Sequence, residues 1–156
     1  MKVLYFLRVL LISVEALLIG MSGLTWYRFS EDLSRLAATI SLNEEILKYL
    51  MVGPVGLAVW VANELRQLLQ EDKSTTRFLV EWPEYWKLKL HLWVSLLYAA
   101  VFVSLSIAPW VVRAGISTGI GLLLFLTSIV GQTFLAASVY AARLRMKELL
   151  SHAPEV

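Results

Sequence analysis

Gly115-Ile-Ser-Thr-Gly-Ile-Gly-Leu-Leu-Leu-Phe-Leu-Thr-Ser-Ile-Val-Gly-Gln-Thr-Phe-Leu-Ala-Ala-Ser-Val-Tyr-Ala-Ala142 contains no Asp, Glu, Lys or Arg. Crossing about 30 Å of hydrocarbon takes roughly 20 mostly apolar residues. This stretch has 28, and Arg143, Arg145 and Lys147 close it with charge. It reads as a membrane span with a helical tail over 143–156.

Outward from it, the pattern repeats. Residues 88–107, 46–65 and 3–27 are further apolar runs, the last ended by Trp26 and Tyr27 as at a membrane–water boundary. The chain is 58% hydrophobic and 17% charged, with a mean hydropathy of +0.69. A soluble domain averages about 45–50% apolar and about 25% charged. The expected fold is all-α: one polytopic domain over 1–156, a four-transmembrane-helix bundle. The first run exceeds the roughly 7–15 apolar residues of a signal peptide, so it is expected to remain as an uncleaved span.

The first loop, from Arg28 to Glu45, holds Leu33, Leu36, Ala37 and Ile40 on one helical face. That predicts a short amphipathic interfacial helix. Ser41-Leu42-Asn43-Glu44 then reads as a capping box, starting the next helix near Leu42. Gly53-Pro54 falls inside the second span, where proline removes one ladder hydrogen bond and predicts a kink on a protein-facing side. Trp82, Tyr85, Trp86 and Trp93 form an aromatic belt at the start of the third span, with Pro83 at its first helical position.

Basic residues orient the bundle. Lys2, Arg66, Lys73, Arg77, Lys87, Lys89, Arg143, Arg145 and Lys147 fall on one side, against Arg28, Arg35, Lys48 and Arg113 on the other. The richer side is expected to be cytoplasmic, with both termini, in a bacterial inner (plasma) membrane.

The segment Ser41-Leu42-Asn43-Glu44-Glu45-Ile46-Leu47-Lys48-Tyr49-Leu50 resembles the opening of the second span in small subunits of tripartite ATP-independent periplasmic transporters. Those subunits are also four-span and of similar length. The resemblance covers ten residues and lacks the tryptophan that the family carries just before them. It implies an accessory subunit.

Composition excludes several chemistries. With no cysteine there is no disulfide, thiolate metal site or cysteine nucleophile. His91 and His152 are the two histidines, and one at a span's edge cannot make a bis-histidine haem site. No H-E-x-x-H, G-x-S-x-G, P-loop or G-x-G-x-x-G occurs. No cofactor, metal or catalytic residue is therefore expected. Nor is a nucleic-acid partner, since the basic residues sit at helix ends rather than in a stripe.

Polar residues within the spans are the candidates that remain. Glu15 lies about 18 Å along the first span, near the bilayer middle. A charge there costs about 2.5–3.5 kcal/mol on insertion scales. It can take up a proton, pair with Arg8, or face a partner helix. By depth, Gly53-Pro54 and the Ser128/Gln132 face reach the same level, and Gln132 or the Leu50 carbonyl are possible partners. This layer is either a proton- or ion-sensitive site or a clasp that fixes helix register or meets another subunit. The clasp is favoured, because interhelical polar contacts are common. Gly115 and Gly119 form a G-x-x-x-G, read chiefly as packing within the chain.

Two functions are expected to compete. One is a non-catalytic accessory subunit, scaffold or partner-inhibiting (immunity-type) component of a membrane complex. The other is a homo-oligomeric ion channel or proton-coupled carrier using Glu15. The expected partners are the lipid bilayer and another membrane protein or further copies of the chain.

Overall fold

The structure, a computed structural model, describes residues 2–39, 44–70, 85–111 and 118–151. All are helical apart from short breaks. The helices are α1 (Lys2–Leu11), α2 (Val14–Thr39), α3 (Glu44–Gln70), α4 (Tyr85–Val111) and α5 (Gly119–Ser151). The capping box and Pro83 lie outside the described residues, and so does the loop that carries Trp82 and residues 71–84.

Among the described residues, two helices are long and apolar enough to cross a membrane: Trp86–Pro109 in α4 and Gly119–Glu148 in α5. Leu4–Leu11 with Val14–Thr39 adds a third if that bent pair forms one span. The fold thus supports membrane association.

Helix α5 is the axis of the bundle, packing against α2, α3 and α4. The core joins Val61 and Leu65 of α3, Leu92, Val94, Tyr98, Ala99 and Phe102 of α4, and Leu135, Val139 and Met146 of α5. Close approach of α4 to α5 depends on Gly131. A Cβ there would lie 2.3 Å from the ring of Phe102, which is fully buried. Gly119 does the same for α2 and α5, since its Cβ would lie 2.7 Å from the backbone nitrogen of Ser34. Gly119 therefore packs within the chain; Gly115 lies outside the described residues.

Polar contacts fix the directions. Ser128 and Gln132 of α5 meet the carbonyls of Phe102 and Ala99, so α4 and α5 are antiparallel. Tyr5 meets Trp86 and His91, and Tyr98 meets Leu10, so α1 runs parallel to the first half of α4. Arg143 meets Glu64, near the ends of α5 and α3. The starts of α1 and α4 and the ends of α3 and α5 thus gather at one pole.

One expectation needs correction. The run 3–27 is not one helix: α1 and α2 are bent by 53° at Ile12-Ser13. A kink at Phe29, with φ −128 and ψ 28, sets off the helix of the first loop within α2; its Leu33 and Ser34 meet the start of α5 at Gly119, and Ala37 is buried. Helix α4 runs to Val111, with Pro109 in its last turn. Pro54 lies inside the continuous α3 and is fully buried, in keeping with a protein-facing position.

Gly131→Ala is expected to lower stability by about 1–3 kcal/mol through overpacking. Gly20→Ala is the reference, because nothing lies within 4 Å of that Cβ. Unfolding temperatures in detergent check this, and equal effects at the two sites would contradict it.

Candidate functional site: the bend between the first two helices and its polar groups

In an unbroken helix the Leu10 carbonyl would accept from the amide of Val14. Here the hydroxyl of Tyr98 donates to it instead. A side chain inserted into the ladder is a recognised cause of a sharp kink. The ends on either side are closed locally. Ile12 N–H donates to the Arg8 carbonyl at 2.9 Å. Ser13 caps α2, its hydroxyl accepting from Ala16 N–H at 3.1 Å and lying 3.4 Å from the Leu10 carbonyl. Leu17 N–H donates to the Ser13 carbonyl at 3.1 Å, the first bond of the new ladder.

The break lets the first segment change neighbours. Before it, α1 lies along α4; after it, α2 crosses to α5. Tyr98 lies near the middle of the Trp86–Pro109 stretch, so the break sits at the midplane level of that helix.

Arg8 and Glu15 fall on opposite sides of the break. Arg8 is exposed in the last turn of α1, and Glu15 is half-buried in the first turn of α2. Each charge is at the helix end whose dipole favours it, worth about 0.3–1 kcal/mol at exposed sites. Among the described residues, no side chain forms a hydrogen bond or ion pair with Glu15.

The remaining polar groups tie helices together elsewhere. Gln132 is fully buried and donates through Nε2 to the Ala99 carbonyl at 2.9 Å; its Oε1 has no partner among the described residues. Ser128 donates to the Phe102 carbonyl at 2.6 Å. Thr127 lies 2.8 Å from the Leu123 carbonyl and 2.9 Å from the Ser22 hydroxyl. With one proton each, Thr127 donates to the carbonyl and Ser22 to Thr127. Of the possible partners of Glu15, Gln132 is therefore engaged elsewhere. Gln132 and Ser128 clasp α5 to α4, while Ser22 and Thr127 link α2 to α5.

Gly53 has nothing within 4 Å of a built Cβ. Of the aromatic belt, Trp86 packs edge-on against Tyr5 with ring centroids 5.3 Å apart, and Trp93 is exposed. The side chain of Tyr85 lies outside the described residues. No group of three or more His, Cys, Asp or Glu that could hold a metal occurs among the described residues.

No known protein family, curated protein or solved structure matches this chain. The resemblance noted for Ser41 to Leu50 stays confined to those ten residues.

Sequence reasoning missed three features. One is the Ser13 cap, whose signal was a serine followed by an acid in the first turn. Another is Tyr98. The third is the Glu64–Arg143 ion pair, in which Arg143 also donates to Gln67 Oε1 at 3.2 Å. Glu64 is buried, so its carboxylate needs that guanidinium.

Two outcomes are expected. Tyr98→Phe removes the shorter of the two side-chain hydrogen bonds to the Leu10 carbonyl, leaving the Ser13 hydroxyl at 3.4 Å, and costs about 0.6–1.7 kcal/mol, with amide exchange accelerating in α1 more than in α5. Uniform exchange across the helices would contradict the assignment. Arg143→Met leaves Glu64 buried and unpaired and costs about 2 kcal/mol, reduced from a fully buried pair because Arg143 is partly exposed. Adding Glu64→Gln is expected to recover part of that loss in thermal unfolding; no recovery would mean the two residues act independently.

Proposed function

We propose that the chain is a non-catalytic integral membrane protein, an accessory or small subunit, scaffold or partner-inhibiting component of a membrane complex. The observation that carries this reading is Glu15. It sits beside the break in the first span, at the level where α4 is at its middle, and the chain provides it with no side-chain partner among the described residues. A polar group left in that setting is costly, so completion by another polypeptide is favoured.

The reading takes the bundle as four spans. α1 and the first part of α2, to about Tyr27, form one broken span. α3, α4 and α5 form the others. The 27 residues of α3 reach about 40 Å, enough to cross. The pole where α1 begins and α5 ends carries Arg66, Lys87, Lys89, Arg143, Arg145 and Lys147, and by the positive-inside rule this supports a cytoplasmic position for both termini. A bacterial inner membrane is the setting this reading adopts.

The broken span also favours a second reading. Discontinuous helices line the substrate paths of many carriers, so a channel or proton-coupled carrier built on Glu15 is the alternative.

Purification from native membranes in mild detergent is expected to yield a stoichiometric complex with another membrane protein. The chain alone in liposomes is expected to move no ions. Ion flux without any partner, abolished by Glu15→Gln, would overturn the accessory reading in favour of the carrier.

A further inference from the structure

We infer that the partner presents a cationic side chain, Arg or Lys, from a transmembrane helix to Glu15 at the elbow between α1 and α2. The inference rests on the accessory reading and names the chemistry of its partner.

The donors that the chain brings to this depth are committed elsewhere. The Tyr98 hydroxyl goes to the Leu10 carbonyl, the Gln132 amide to Ala99 and the Ser128 hydroxyl to Phe102. Ser13 is occupied as the cap of α2. Among the cations, Arg143 is held by Glu64 and Gln67. Arg8 lies across the bend on α1 and forms no ion pair with Glu15 among the described residues.

The elbow is open to a second helix. Leu11, Ile12, Val14 and Leu17 are 57–78% exposed around it. Further along α2, Gly20 and Gly23 have nothing within 4 Å of a built Cβ, so a neighbouring backbone can approach closely. Glu15 stands at the edge of this surface, half-buried.

Charge complementarity selects the occupant. An acidic side chain and a basic one each cost about 2.5–3.5 kcal/mol at mid-bilayer on insertion scales. Bringing them together relieves both costs at once. A second copy docking through the same elbow brings Glu15 to Glu15, which repels. Lipid headgroups lie roughly 15 Å away, at the edge of a 30 Å core.

The test uses the purified full chain in liposomes of neutral phospholipid, labelled for energy transfer. The probes are labelled poly-leucine transmembrane peptides with Arg, Asn or Leu at the centre. The Arg peptide is expected to associate with the chain and the Leu peptide not to. Glu15→Gln is expected to weaken the Arg peptide about tenfold, and Glu15→Asp to fall between. Equal association of the Arg and Leu peptides with the unaltered chain would overturn the inference, whatever the variants do to folding. So would Asn binding as tightly as Arg, since a neutral donor would then suffice, or transfer between two copies of the chain that Glu15→Gln abolishes. Native complex retained in full by the Glu15→Gln chain would defeat the cationic partner while leaving the accessory reading intact. Ion flux from the chain alone would defeat the accessory reading itself.

Discussion

A carbonyl freed from its helical ladder and shielded from water must find another donor, and the Leu10 carbonyl finds Tyr98. Much of the rest depends on that bond. It accepts the loss of a ladder hydrogen bond between Leu10 and Val14 and so permits the 53° bend. The bend lets α1 follow α4 while α2 follows α5. Without it, a straight first helix could not serve both neighbours. Ser13 completes the repair by giving α2 a cap in place of the ladder it lost.

The same logic governs the bundle's other polar groups. Isolated hydroxyls such as Thr25, Ser104 and Thr133 bond back to carbonyls four residues earlier, which satisfies them within their own helices. Those of Ser128, and the amide of Gln132, reach across to α4 instead. These bonds fix which carbonyls of α4 face α5, and Gly131 lets the two backbones come near enough for them to form. Glu64 and Arg143 close the pole where α3 and α5 end. Two groups fall outside this logic: Glu15 has no side-chain partner among the described residues, and neither does the buried Oε1 of Gln132.

The long apolar helices α4 and α5 were legible because their uncharged runs are long enough to cross a membrane. The break at Ile12-Ser13 was hidden because neither proline nor glycine marks it, and the tyrosine that stabilises it is 88 residues away from Leu10. Depth counting brought Glu15, Ser128 and Gln132 to one level. It could not say which way each faces around its helix, so Gln132 was aimed at Glu15 when it serves Ala99. Glu64 and Arg143 were invisible as a pair for the same reason, being 79 residues apart.

The most direct measurement is a depth scan of the first segment in lipid bilayers. The chain has no cysteine, so single cysteines from Leu4 to Leu24 can each carry a spin label. Relative access to oxygen and to a water-soluble relaxant reports depth. A first span broken at mid-bilayer gives depth rising along α1, a maximum near Ser13 to Glu15, and a jump in helical phase between Leu11 and Val14. Uniformly shallow depth along α1 would contradict it, for α1 would then lie on the membrane surface and Glu15 would meet water.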